Sequence, residues 1–293
     1  MESVFKQHNI TCSLMGGLGN QLFQLFTTIA YCMENNSNFI FPYSTELKIG
    51  ITRPTYWDSF LSGLKQYTTF SNNEFTNETI NKYPHQREIG FHYLKIPHYD
   101  NIQNLMLHGY YQSYKYFEKY KSTIYDLIHL DEQKLQIKNE HIDLFQDNIT
   151  VSMHFRLGDY VGKEQFHPIM TVEYYQNAIN YIISTTNTDN FTILYLCQDI
   201  DNQTVELMIT GLKIVFPTIT FIKVDDSIDD WKQMLITSNC NHNIIANSTF
   251  SWWGAYFNTK EPIVCYPAKW FGPAFGHYIL NDLFPNNWYK ILC

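Results

Sequence analysis

The chain has 293 residues, 45% of them hydrophobic and 17% aromatic, with a formal net charge of −8. At roughly 150 residues per domain this allows one large or two medium domains with a sizeable apolar core, which excludes a disordered chain. The acidic balance excludes broad binding to nucleic acid or to an anionic membrane, both of which need a basic field, so any anionic ligand must be held by local donors.

In chain order, a strand over about 9–15 runs into Gly16-Gly17-Leu18-Gly19-Asn20. An amphipathic helix over about 20–34 follows, with Leu22, Phe23, Phe26, Ile29, Ala30 and Met33 on one stripe. A short strand, NFIFPY, comes next. From 44 to 104 Asn, Pro and Thr break the pattern, leaving helical pieces near 57–66 and 76–82. The run LMLHGYYQS reads as a strand passing into an aromatic-rich helix that reaches about residue 129. Between 131 and 147 the chain turns polar, which places the domain boundary there, with an N-terminal α/β domain over 1–140 and a C-terminal one over 141–293. The aromatic C-terminal tail is expected to pack back on the first domain.

Beyond that boundary strands and helices alternate. ITVSMHF leads to a helix entered through Pro168 and Thr171; FTILYL leads to one near 201–211; TFIKV to one over 227–239; HNIIA to TFSWWGAYF; and PIVCYP closes the series. Such alternation argues for a parallel sheet covered on both faces. Six scattered cysteines, Cys12, Cys32, Cys197, Cys240, Cys265 and Cys293, show no ligand or C-x-x-C spacing, so neither a zinc site nor a disulfide framework is expected. The sequons at Asn77 and Asn247 follow from the Asn-rich composition. With no signal-like or spanning segment, a soluble cytoplasmic protein is expected, at most peripheral at a membrane.

Polar clusters end three strands of the second half, where an open parallel sheet binds its ligands: HFRLGDY, CQDID and NSTFS. Arginine is scarce, with Arg53, Arg87 and Arg156 against seventeen lysines, so a guanidinium at 156 suits a task that lysine's point charge does poorly: bridging two phosphate oxygens. Ser248, Thr249 and Ser251 at a helix N-terminus would add amide and hydroxyl donors. Each cluster also has a plain reading: an Arg156–Asp159 ion pair, a helix cap at NSTFS, and core packing for the indoles. Of Trp252 and Trp253, one is expected in the core and the other on an acceptor cleft. As a dinucleotide fingerprint the Gly16–Asn20 loop lacks the third glycine, and Glu46 lies too far on. Asp199-Ile200-Asp201 can be read as the D-x-D of a metal-dependent transferase using a UDP-sugar.

Taken together, MGGLGNQLFQ, HFRLGDY and CNHNIIANSTFSWWGAYFN resemble glycosyltransferase family 11, the α-1,2-fucosyltransferases, over residue 12 to about 270. The resemblance implies an α/β fold of GT-B type, two Rossmann-like domains with a cleft between them. It further implies an inverting, metal-independent transfer of fucose from GDP-β-L-fucose to a glycan, by family analogy the 2-OH of a terminal galactose. No cofactor is implied; the partners are the nucleotide-sugar donor and the glycan acceptor. By the same resemblance His154 and Arg156 contact the nucleotide and its diphosphate, Asp159 matches the acid of the family segment, and Asp199 faces the guanine end. Asn247, Ser248, Thr249, Phe250 and Ser251 line the phosphate and base pocket, while Gly17 and Gly19 let backbone approach the donor. Asn20 takes the place of an Asn that related protein O-fucosyltransferases present near the reacting sugar. The second Arg of the family pair is replaced by Leu157, which leaves room for another 6-deoxyhexose donor or for a non-catalytic glycan or nucleotide-sugar binding protein.

Overall fold

The computed structural model describes residues 8–48, 50–99, 104–146 and 149–292; Cys293 and the end of the polar stretch, at 147, lie outside them. The chain divides into two units, Met1–Asp131 with Tyr278–Pro285, and Glu132–His277 with Asn286–Cys293.

The first unit contains β1 (Asn9–Cys12), α1 (Leu18–Glu34), β2 (Asn38–Phe39), β3 (Glu46–Leu47), β4 (Arg53–Pro54), α2 (Asn77–Ile80), β5 (His85–Arg87), β6 (Asn104–His108) and α3 (Lys121–Leu127). Its sheet is parallel throughout, in the order β2-β1-β6-β5, while β3 and β4 form a separate antiparallel pair. The first helix differs from its expected amphipathic form: Leu22, Phe23, Leu25, Phe26 and Ile29 are buried, but so are Gln21, Gln24, Thr27 and Thr28. Backbone groups bond both amides, with Gln21 Oε1 alone of their oxygens left without a hydrogen-bond partner. Gln24 accepts from the Met15 amide at 2.9 Å, and Gln21 donates to the Gly16 and Pro54 carbonyls at 3.0 and 2.9 Å. In place of the aromatic-rich helix after β6, two short 3₁₀ turns at 114–116 and 118–120 precede α3. Phe117, at φ −130° between them, interrupts the helix and sits fully buried against the rings of Phe23 and Phe26.

The second unit is built from α4 (Leu130–Glu140), β7 (Thr150–His154), α5 (Val172–Thr186), β8 (Thr192–Leu196), α6 (Asn202–Val215), β9 (Thr220–Lys223), α7 (Asp230–Asn239), β10 (His242–Ile244), α8 (Thr249–Tyr256), β11 (Val264–Pro267) and β12 (Tyr289–Ile291). Six parallel strands run in the order β12-β11-β10-β7-β8-β9. Every residue of β7 and β8 is buried, as two-sided cover demands of central strands. The polar stretch after 131 holds a helix, α4, instead of a linker, because Leu130, Lys134 and Ile137 are buried one above another. The buried ammonium of Lys134 donates to the Phe257 carbonyl at 2.7 Å, and its own carbonyl accepts from Asn239, so most of this helix belongs to the second unit. In the aromatic tail, Tyr278 stacks on Phe91 in the first unit, whereas Trp288 and β12 complete the second.

The chain lays down β7, β8 and β9 in one direction, then returns to lay β10, β11 and β12 in the other. The order therefore reverses between β7 and β10, and in open α/β sheets ligands bind beyond the carboxyl ends at such a reversal. In the first unit the corresponding reversal lies between β1 and β6.

Candidate functional site

The loops after β10, β7 and β8 leave three neighbouring strands at the same edge. His154 ends β7, buried and with its ring 5.3 Å from that of Phe250. Burial, with the Arg156 charge adding to it, pushes the imidazole down to about 3, so it is neutral at pH 7. Two residues on, Arg156 Nη2 donates to Asp159 Oδ2 at 2.6 Å, and the guanidinium lies 5.5 Å from the Tyr160 ring centroid. The Tyr160 hydroxyl donates to the Asn247 carbonyl at 3.0 Å, linking the β7 loop to the β10 loop across the reversal. Burial pushes that phenol up to about 12, so it stays a donor. His167 stacks on its ring at 4.6 Å and 19°.

Asn247 is buried, with its amide donating to the Pro168 and Trp270 carbonyls at 2.8 and 3.2 Å. Ser248 is the extended N-cap of α8, its hydroxyl accepting from the Phe250 amide at 3.3 Å. Thr249 and Phe250, half-buried, open the helix. Ser251 departs from its expected role as a ligand donor. Its buried hydroxyl is taken up inside the turn by the Ala246 and Ser248 carbonyls at 3.3 and 3.2 Å. Nor does either indole face an acceptor: Trp252 and Trp253 are both fully buried, edge-to-face at 5.1 Å, with Trp252 also stacked on Tyr256. The cause is the close approach of α8 to α7 at Gly254, where a Cβ would come within 2.7 Å of Thr237 Cγ2.

Buried polar groups are nearly always paired. His154 Nδ1, Arg156 Nε and Asn247 Oδ1 are buried without a hydrogen-bond partner; His154 ends β7, and the other two lie on the loops after β7 and β10 that flank the reversal. Two of those groups belong to residues with donors still in hand, the third is an acceptor, and together they mark a place for an external polar partner.

Asp199 and Asp201 are the first and last residues of a 3₁₀ turn after β8. Asp199 is exposed, accepting from the Asn202 amide at 2.9 Å. Asp201 is buried and accepts from the Leu157 amide at 3.3 Å, so the two carboxylates do different things. Leu157, which stands where the family has its second Arg, packs into the hydrophobic core with Phe155 and Tyr175.

In the first unit the Gly-rich loop follows β1 and runs straight into α1, two residues earlier than the sequence suggested. Gly17, extended at ψ −178°, is the N-cap, and Gly19 is buried inside the first turn. The conformational need falls on Gly16: at φ +77° it sits in the left-handed region, and a Cβ there would come within 2.5 Å of Asn20 Nδ2. A Cβ on Gly17 would meet nothing within 4 Å, so packing does not account for its lack of a side chain. Asn20 Oδ1 accepts from Gln112 at 3.0 Å, tying the first turn of α1 to the loop after β6. Sequence reasoning named neither Gln112 nor the pinning role of Tyr160, although Tyr160 closes the quoted HFRLGDY run.

Over residues 1–292 the chain matches the sequence profile of glycosyl transferase family 11. The chain belongs to this family. It is therefore a glycosyltransferase, built of α/β units with two parallel sheets. Among curated relatives, an α-1,2-colitosyltransferase of Escherichia coli is 26% identical over 286 residues, covering 89% of this chain and 92% of that protein. The O-antigen biosynthesis glycosyltransferase WbnK of Escherichia coli is 29% identical over 180 residues, 56% of this chain and 55% of that one. Among solved structures, a family 9 glycosyl transferase from Veillonella parvula superposes with a TM-score of 0.50 at 10% identity, covering 98% of this chain and 87% of that one. No helix among the described residues is long and apolar enough to cross a membrane.

Proposed function

We propose that this family 11 member is an inverting transferase that moves L-fucose from GDP-β-L-fucose to a glycan hydroxyl, the 2-OH of a terminal galactose. The observation that carries the reading is Arg156 at the β7–β10 reversal, braced by Asp159 and Tyr160, with the N-terminus of α8 on the neighbouring loop. As the bond from the sugar C1 to the β-phosphate breaks, negative charge grows on the leaving diphosphate. The guanidinium and the first amides of α8, with the Thr249 hydroxyl, stabilise that charge, which is the form in which fixed donors accelerate a reaction. Asp159 takes one proton of Nη2, which leaves the remaining guanidinium protons, that on Nε among them, for phosphate. His154, neutral, offers a donor or an acceptor without adding charge, Phe250 gives the base or sugar an apolar face, and Asp199 takes the guanine end.

On this reading the second unit holds the nucleotide. The 1,2 linkage is supported by the activity named for the E. coli colitosyltransferase. That same name favours a second reading, in which the donor carries another deoxyhexose, with the apolar Leu157 in place of the second Arg as the point of difference.

The test incubates the protein with GDP-fucose and lactose and follows free GDP and a fucosylated trisaccharide by chromatography and mass spectrometry. Transfer is expected, and Arg156→Ala should lower kcat by about 10²-fold or more while the fold is retained. A fully active Arg156→Ala variant, or GDP bound without any transfer from any GDP-deoxyhexose, would remove the proposal. Activity abolished by EDTA and restored by Mn²⁺ would favour instead the metal reading of Asp199 and Asp201.

A further inference from the structure

We propose that Asp201 is a positioning residue for the phosphate-binding loop: from the foot of α6 it fixes the turn that carries Arg156 and Asp159. This rests on the nucleotide-sugar reading above and assigns a task to an acid which that reading leaves idle. The turn hangs on Leu157. Its side chain is anchored in the core, its carbonyl accepts from the Tyr160 and Val161 amides at 2.8 and 3.2 Å, and its own amide donates to Asp201 Oδ2 at 3.3 Å. Asp201 is buried, and its own amide is held by the Gln198 carbonyl at 2.8 Å, so the acceptor is fixed relative to β8.

A second contact acts on the same turn. A Cβ at Gly158 would stand 3.0 Å from Asp201 Oδ1, 3.0 Å from Ile200 Cγ2 and 3.2 Å from Gln198 Oε1, so the backbone of the β7 loop lies directly against three side chains of the β8 loop. Arg156 is bracketed by these anchors: β7 ends at His154, the Phe155 amide donates to the Leu196 carbonyl at 2.8 Å, and Leu157 is pinned by Asp201. Losing the Asp201 acceptor leaves a buried amide unpaired and frees the guanidinium to wander from the geometry that a fork contact with phosphate requires. The D-x-D spelling at 199–201 then has a structural origin: an exposed first acid and a second acid turned inward to the neighbouring loop.

The experiment compares wild type, Asp201→Asn, Asp201→Ala, Gly158→Val and Arg156→Ala by calorimetric titration with GDP, and by amide exchange over the 155–161 peptide. Asn keeps one carbonyl oxygen for the Leu157 amide, so Asp201→Asn should bind GDP within about threefold of wild type and protect the peptide equally. Asp201→Ala and Gly158→Val should weaken GDP about tenfold or more and speed exchange there, with the thermal midpoint still cooperative. Should Asp201→Ala fail to fold, Gly158→Val carries the same prediction. The proposal is overturned if Asp201→Asn is as impaired as Asp201→Ala, as loss of a metal ligand would make it. It is equally overturned if neither Asp201→Ala nor Gly158→Val alters GDP affinity and loop exchange. Failure of the wild type to bind GDP would instead sink the nucleotide reading, and with it the binding role of Asp201, whereas the exchange result decides the loop contact by itself.

Discussion

His154 and Arg156 stand two residues apart and use opposite physics. The guanidinium is paired with the Asp159 carboxylate, whereas the imidazole, with burial against it and a cation beside it, gives its charge up. That surrender has a consequence for acid stability. With a folded value near 3 against an ordinary value near 6.5, the unfolded chain takes the proton first. The neutral imidazole therefore contributes stability that is complete above about pH 6.5 and is lost as pH falls toward 3, at up to roughly 1.4 kcal/mol per pH unit. His167, His242 and His108 are also held low by burial and add to the same slope. A His154→Gln variant isolates the share of one residue: between pH 7 and 5 its urea midpoint should fall less than that of wild type, and an unchanged slope would mean that His154 is not the buried base described.

At this scale the residues of the candidate site could be named from the sequence. The scarcity of arginine singled out Arg156, and the two readings of Asp159, ion-pair partner and site acid, both describe a carboxylate that braces a guanidinium. The roles of Ser251 and of the two tryptophans were not legible, because a hydroxyl at a helix N-terminus and an indole in an apolar run look the same in sequence whether they face ligand or core. What turned them inward was the close packing of α8 on α7 at Gly254, a fact about two elements.

Among the elements, those with a clear period were found within a few residues, and those that departed did so for local reasons. Gly17 starts α1 early by acting as its cap, and Phe117 breaks the expected helix after β6 into short turns by diving into the core. The helix α4 was hidden because a lysine occupies the centre of its buried stripe, and only a carbonyl from a distant segment, that of Phe257, makes such a lysine tolerable there. Of all the helix starts, that of α8 bears most directly on the site, since its first amides are the proposed phosphate donors. Ser248 accepts from one of them, so Ser248→Ala should cost about 1 kcal/mol of stability in urea unfolding while raising the KM for donor. A variant of unchanged stability would show that the cap is idle.

For the whole molecule the governing fact is chain order. Residues 278–285 join the first unit and the last stretch, from Asn286, joins the second, so the second sheet is completed by its sixth strand only at the very end of the chain. Trp288 packs there on Trp252, 5.4 Å between ring centroids, with each largely or fully buried. Trp288→Ala should therefore destabilise the protein by about 3 kcal/mol or more, read from the urea midpoint together with the near-ultraviolet signal of the indoles. A loss below 1 kcal/mol would mean that the tail adds little to the sheet.

By itself the sequence determined the alternating α/β pattern and the three polar runs at strand ends, because periodicity and spacing are local properties that survive without coordinates, and its motifs carried the resemblance to the family. It did not determine which strands lie side by side. Only the tertiary structure put β10 next to β7, so that loops about ninety residues apart in the chain share a hydrogen bond between Tyr160 and Asn247. Only the tertiary structure turned Asp201 inward to the Leu157 amide. Both follow from the demand that buried polar groups find partners, and those partners are supplied by neighbours in space that no local pattern announces.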